Sequence, residues 1–238
     1  MNTTDLYNYF RGQVNDLAQP SMWTDQEIFL WMSEAQFEFC REIQGLPDAT
    51  TPSVVQVQAN AGQAFSRLHC SIIKVRKAQR ADFADVWISN MADLAAPVRC
   101  DYGTRIPSLR LDDTQGPLSA MILGMEVDKC RWVPIPAVDE IVTLVVDRYP
   151  LCELTRKEQD FEIQRQHHIH LFDWMAYRAY NKQDADTYDK TQAAKYFQSF
   201  VAYCEEARSE LERLRQKNRM TAYGGIPMHG GHYTRGVW

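Results

Sequence analysis

Apolar residues recur at intervals of three and four along the first 45 residues, the spacing of one helix face. A second helix begins at the segment Thr24 to Glu27, a capping box whose two end side chains satisfy free backbone N–H groups. The pattern therefore predicts a short helix that Pro20 ends and a longer one that stops at Gly45. The apolar positions of the two helices are Tyr7, Phe10, Val14 and Leu17, then Ile28, Met32, Ala35, Phe39 and Ile43.

The pattern changes between about Thr51 and Leu151. Short runs of β-branched residues alternate there with Pro, Gly, Asn and Asp, which is typical of strands joined by turns. Prolines extend the backbone at residues 132–136, so we expect an edge strand or a lead into the next strand. The predicted strands are residues 54–57, 71–75, 86–88, 108–111 and 141–146.

Helical periodicity returns in the last third of the chain. One predicted helix begins at Thr155 or Asp160 and runs to about Asn181, with Phe161, His168, Phe172, Met175 and Ala179 on one face. Asp189 then caps the longest helix, whose apolar residues alternate steps of four and three. This seam predicts close packing inside a helical bundle, and it consists of Ala193, Phe197, Phe200, Cys204, Ala207, Leu211 and Leu214.

Residues 218–238 follow this helix and contain neither an acidic residue nor any periodicity. Their paired glycines and Pro227 disfavour both helix and strand. A frayed terminus is one interpretation. We favour the other, a docking arm, because the segment carries large side chains suited to pockets on a partner. The proposed contact residues of this docking arm are Tyr223, Ile226, Met228, Tyr233, Arg235, Val237 and Trp238.

Taken together, the elements predict an α+β fold that is mainly α. We expect a four-helix bundle formed by the N- and C-terminal helices, with an inserted β-rich region and an extended C-terminal arm. The expected boundaries are residues 1–50 for the first helices, 51–154 for the β-rich region, 155–217 for the last helices and 218–238 for the arm.

Charge narrows the range of functions. The chain has 238 residues and a net charge of −5, which argues against a general nucleic-acid-binding protein. One local basic run lies at the end of the last helix: Arg213, Arg215, Lys217 and Arg219. It either faces solvent near the negative end of the helix dipole or contacts an acidic partner or DNA. Apolar runs such as residues 141–146 are too short to span a bilayer, so no membrane association is expected.

Candidate catalytic and metal-binding residues are few. The sequence has no phosphate-binding loop, dinucleotide fingerprint, serine-hydrolase elbow or zincin motif. His167 and His170 lie one helical turn apart and have the spacing to share a metal, but a site needs a third ligand and only Asp173 is locally placed. A structural role for these histidines and His168 is favoured. The acidic residues 184–189 lack the glycine and distal glutamate of a calcium loop. We expect no cofactor and no enzyme activity, although a site assembled from distant residues stays an alternative.

The order of several short segments resembles the head-to-tail adaptor (connector) proteins of tailed bacteriophages over roughly residues 5–205. The similarity rests on the sequence of these segments along the chain rather than on any one of them. They are the capped stretch Trp23 to Glu27, Pro134 to Pro136 before a strand, Tyr149 to Leu151, Arg178 to Tyr180, and Asp184 to Asp189 leading into Ala193 to Tyr196.

This resemblance implies a structural virion protein at the portal vertex, assembled in the host cytoplasm. Such adaptors form a ring, typically of twelve copies, between the portal protein and a tail or nozzle protein, and genomic DNA passes through the lumen without sequence-specific binding. A C-terminal arm often docks onto the portal, as expected for residues 218–238. The alternative within phage proteins is another tail ring component, either a tail completion or a nozzle subunit.

Overall fold

The computed structural model describes residues 1–18, 20–91, 113–183 and 188–216, with side chains up to residue 213. Its helices are α1 (Thr3–Gln13), α2 (Asp25–Glu42), α3 (Pro52–Val55), a 3₁₀ helix (Arg165–His170), α4 (Leu171–Asn181) and α5 (Lys190–Gln216). Its strands are β1 (Leu46–Asp48), β2 (Gln56–Ala59), β3 (Phe65–Arg67), β4 (Ile72–Gln79), β5 (Asp85–Asn90), β6 (Gln115–Gly116), β7 (Ala120–Leu123), β8 (Lys129–Val133), β9 (Ile135–Pro136) and β10 (Glu140–Arg148).

The helix starts follow local sequence. The Glu27 N–H donates to Thr24 Oγ1 (3.3 Å) and the Thr24 N–H donates to Glu27 Oε2 (3.0 Å), which confirms the predicted capping box of α2. Asp189 Oδ1 accepts from the N–H groups of Thr191 (2.9 Å) and Gln192 (3.0 Å), which confirms the cap of α5.

Four helices share one apolar core. Side chains from α1, α2, α4 and α5 are buried against each other and against the irregular segment that precedes the 3₁₀ helix. Aromatic rings dominate, and Phe10 makes edge-on contacts with Trp23 (5.7 Å between centroids) and Trp31 (6.1 Å). The fully buried side chains of this core include Leu6, Phe10, Ile28, Met32, Phe39 and Leu171.

The sheet is the second organised part of the molecule. Seven strands follow one another in the order β1-β10-β4-β5-β7-β8-β3, and β2 pairs with β10 as well. β1 pairs with the last three residues of β10 and β2 with the first four. Because β4 pairs along the other edge of β10, these two short strands share one edge of it.

The sheet curls into a half-barrel. Two register shifts in the β10–β4 pair bend the strands, as β-bulges do. The curl brings β3 back to β2, where Ser66 Oγ donates to the Gln58 carbonyl (2.6 Å) and accepts from Trp132 Nε1 (2.8 Å). The curled face encloses a separate core around Met121, Trp132 and Leu144.

The predicted fold class, a mainly helical four-helix bundle with an inserted β region, is therefore wrong. The described residues are 40% helical and 25% strand, and the half-barrel is a major part of the architecture with its own core. Strands such as β7 and β8 escaped the sequence pattern because their short segments lack strict alternation, and only pairing with each other and with β5 and β3 defines them.

Individual elements also differ from expectation. Residues 72–75, 86–88 and 141–146 are strands, within β4, β5 and β10, as predicted, but residue 71 lies in the turn before β4. Residues 54 and 55 instead end α3, which Pro52 starts at its first position, so the strand begins at Gln56. The helix expected from Thr155 or Asp160 begins only at residue 165, because Gln159 Oε1 accepts from two backbone N–H groups and holds a turn. The predicted strand 108–111 lies outside the described residues.

Candidate functional site

The sequence-predicted contact residues fall at or beyond the end of α5. Arg213 is exposed on that helix, and the backbone of Arg215 continues it. Lys217 and the whole docking arm, residues 218–238, which includes Arg219, lie outside the described residues. The structure therefore defines the helix that carries the arm and the surfaces around it.

Aromatic contacts fix the position of α5 against α4. Tyr196 stacks on Tyr180 with 5.8 Å between ring centroids, and Tyr203 stacks on His170 at 3.5 Å. The first contact lies near the end of α4 and the second at its start, so the two helices are antiparallel. Four residues of the predicted seam are buried in the structure: Ala193, Phe200, Cys204 and Ala207.

One seam position was predicted wrongly. Phe197 is 41% exposed, whereas Phe200 is 1% exposed. Phe197 touches the rings of Trp174 and Tyr177 at the rim of the interface, with centroids 6.4 and 5.1 Å away. Because a straight α-helix has 3.6 residues per turn, residues spaced by a strict heptad shift gradually around the helix axis. Phe197 therefore lies at the solvent edge of the buried face.

α5 extends beyond its neighbour α2. Tyr203 lies beside Phe39 with 6.2 Å between centroids, three residues before α2 ends at Glu42. From Tyr203, α5 continues to Gln216, a rise of ~20 Å. Because α4 is antiparallel to both helices, as the Lys182–Glu27 and Arg178–Glu34 ion pairs indicate for α2, α5 and α2 run in the same direction. Gln216, the last described residue of α5, therefore lies beyond the C-terminal end of α2.

The side chains of His167 and His168 contact protein groups that hold neighbouring segments together. His167 Nδ1 lies 2.8 Å from the Tyr203 hydroxyl oxygen, and burial lowers the pKa of both His167 and His170. The ring nitrogens of His168 lie 2.8 and 2.9 Å from the carbonyl oxygens of Met1 and Ile163, which joins three segments. Within the described ranges, no group of three or more His, Cys, Asp or Glu side chains is arranged to hold a metal ion.

A buried ionic junction joins the half-barrel to the helices. Arg148, the last residue of β10, donates to Asp48 (2.5 Å) and to Glu162 (2.6 Å). Glu162 also accepts from two backbone N–H groups, and its own N–H donates to Gln36 Oε1 on α2 (3.0 Å). Burial alone raises the pKa of Asp48, but hydrogen bonds from the Thr50 backbone, Arg148 and Thr51 outweigh it and hold the pKa well below its ordinary value.

A groove runs along α2, next to α4 and the segment 153–155. Its volume is about 780 Å³, and the side chain of Leu30 is 55% exposed on it. Three carboxylates and one guanidinium line the groove, which gives it negative charge. We call this surface the α2 groove; its lining includes Phe29, Leu30, Glu34, Phe37, Glu38, Glu153, Trp174 and Arg178.

Neither the Arg148 junction nor the α2 groove was found from the sequence. Arg148, Asp48 and Glu162 are far apart in the chain and belong to no motif. Leu30 gave a weak signal, because it stands outside the apolar stripe of α2 in an otherwise amphipathic helix.

Comparison with known proteins identifies the family. The family model described as SU10 adaptor protein matches residues 1–225, nearly the whole chain. The chain belongs to the SU10 adaptor family. A search of curated proteins gave no match. The expected relationship to phage head-to-tail adaptors is thereby confirmed.

Membership gives the adaptor a general role. The family points to a bacteriophage adaptor, a structural protein and virion component that associates with portal and tail proteins. It is a family of structural phage proteins rather than of enzymes. Among the helices that the structure describes, none has the length and apolar character needed to cross a bilayer.

Proposed function

We propose that the adaptor forms a ring, of about twelve copies by analogy with related connectors, between the portal and the tail of a tailed bacteriophage. The family match over residues 1–225 carries this proposal. Portal protein lies on one side of the ring and a tail or nozzle protein on the other, at the portal vertex of the virion. Assembly takes place in the host cytoplasm.

In this proposal, genomic DNA passes through the lumen without sequence-specific binding. The net charge of −5 supports such a conduit, because a wall that bound phosphates tightly would slow the movement of DNA. The docking arm contacts the portal. Its support is the chemistry of residues 218–238, which combine large apolar side chains with glycines that favour neither helix nor strand.

The competing assignment is a tail ring, as a tail completion or nozzle subunit. Two measurements distinguish a head-to-tail adaptor from a tail ring: native mass spectrometry and low-resolution electron microscopy. Both are made on the purified protein alone and mixed with purified portal or tail protein. We expect a closed ring with a central hole that joins the portal. A ring that joins only tail protein would assign the chain to the tail, and a monomer that binds neither would contradict both assignments.

A further inference from the structure

We propose that the α2 groove of one adaptor subunit binds the first half of the docking arm, residues 218–228, of a second copy. The inference rests on the ring and arm of the proposed function and adds a specific contact between neighbouring subunits. The second half of the arm, with Tyr233, Arg235, Val237 and Trp238, remains available for the portal.

The groove has the chemistry of a site for an apolar, basic peptide. Phe29, Leu30 and Phe37 provide an apolar floor and wall. Glu34 pairs with Arg178 at 3.0 Å and Glu38 pairs with Arg41 of the same helix, so the exposed carboxylate of Glu153 leaves the groove with net negative charge.

One polar atom beside the groove lacks a partner. The buried indole Nε1 of Trp174 has no hydrogen-bond acceptor among the described residues. A buried N–H donor without an acceptor is destabilising. A backbone carbonyl of a bound peptide would accept from it once the side chains that cover this nitrogen shift.

The first half of the arm complements this surface. Residues 218–228 contain Arg219 and no acidic residue, which suits the carboxylates of the groove. Tyr223, Ile226 and Met228 are side chains that fill apolar depressions at interfaces. Pro227 removes one backbone donor and limits the conformational entropy lost on binding.

Direction and length favour a second copy as the donor of the arm. α5 ends ~20 Å beyond Tyr203, past the C-terminal end of α2, whereas the groove lies along α2 from Gln26 to Glu38. An arm entering its own groove must reverse direction. Residues 217–228 span up to ~40 Å when extended, which allows them to reach the groove of a copy packed beside the end of α5, and residues 229–238 then continue toward the portal.

Cross-linking between two populations tests the contact. One carries Leu30→Cys and the other Tyr223→Cys, and in both the native Cys70, Cys100 and Cys152 are replaced by Ser. After mixing under assembly conditions, with and without portal, oxidation should join one copy of each kind. Val127→Cys, at a site 87% exposed on the β7–β8 turn, replaces Leu30→Cys as the control and should give only background.

Two results would overturn the inference. One is cross-linking between Leu30→Cys and Tyr223→Cys no stronger than with Val127→Cys. The other is a cross-link confined to single chains when both cysteines are placed in one polypeptide and diluted with unlabelled protein, since that result would put the arm in its own groove.

A charge substitution gives a second readout. Leu30→Glu should weaken self-association at least about tenfold in sedimentation velocity, because it places a carboxylate where an apolar anchor binds. Val127→Glu makes the same substitution outside the groove and should leave association unchanged. Equal association by both variants would contradict the inference.

Portal binding, measured separately, distinguishes this inference from the proposed function. If removal of the arm abolishes portal binding but no groove cross-link forms, the groove contact is wrong and the function stands. If the cross-link forms and the protein does not bind portal or make a ring, the contact between copies stands and the proposed function fails.

Discussion

At the scale of single residues, the buried charges around Arg148 connect the two halves of the molecule. Arg148 satisfies Asp48 on β1 and Glu162 in the segment before the 3₁₀ helix, and Glu162 is bonded in turn to α2 through Gln36. All three charged side chains are mostly withdrawn from solvent. Removing the cation would leave two carboxylates without their common partner.

We therefore expect Arg148→Met to lower the free energy of unfolding by ~3–5 kcal/mol, the usual cost of breaking a buried ion pair. Arg208→Met, at an exposed pair on α5, is the control and should cost less than ~1 kcal/mol. Urea denaturation at pH 7 measures both variants. A loss for Arg148→Met equal to that of the control would mean that water or another cation satisfies the carboxylates.

The same junction predicts a pH dependence. The pKa of Asp48 is depressed in the folded protein, so its contribution to stability is present above the ordinary carboxyl pKa of about 4 and is lost as pH falls below that value. Asp48→Asn removes this group and should flatten the decline of stability between pH 5 and pH 3. Denaturation midpoints measured across that interval should fall less steeply in the variant than in the wild type, and parallel declines would contradict the assignment.

At the scale of elements, α5 shows how burial distinguishes neighbouring residues of the same type. Phe200 packs against Trp174 with 5.2 Å between centroids and is fully enclosed. Phe197, one turn earlier, lies at the rim of the same interface. The two residues form a matched pair on one helix.

Phe200→Ala should lower the free energy of unfolding by ~3–5 kcal/mol, because it removes a buried ring and leaves a cavity. Phe197→Ala should cost less than ~2 kcal/mol, since its ring already contacts solvent. Thermal and urea unfolding compare the two variants. Equal losses would show that Phe197 is buried in solution, for instance against another subunit.

At the scale of the whole molecule, the proposed docking arm predicts how the adaptor attaches to the portal. Deletion of residues 220–238 should leave the described core folded, because the described parts of both cores draw on residues before position 214. The truncated protein should fail to bind portal. Co-sedimentation with purified portal measures the loss, and circular dichroism checks that the fold is kept. Undiminished binding would move the portal contact to the folded part of the adaptor.

Single substitutions refine this prediction. Trp238→Ala and Tyr233→Ala should weaken portal binding more than Thr234→Ala, because large aromatic side chains contribute most to interfaces. Multiple arms around a ring would mask modest single losses, so the double variant should show a larger defect than either alone. Binding by the double variant equal to that of Thr234→Ala would remove these aromatics from the contact.

The sequence by itself determined the locally encoded features. Thr24 and Asp189 cap their helices through side chains two or three residues from the donors they bind, and β10 shows its alternation within one segment. Such signals need no distant partner, so they can be read from the chain. The order of the short segments also indicated the adaptor family, which the match over residues 1–225 confirmed.

Only the tertiary structure decided the architecture. The strands β3, β7 and β8 are defined by pairing across the sheet, and the curl depends on register shifts between β4 and β10. The Arg148 junction joins residues about 100 positions apart, and the exposure of Phe197 depends on how α5 lies against α4. Contacts between segments distant in sequence leave no periodic pattern in the chain. They can therefore be identified only from the folded structure, in which the two segments lie side by side.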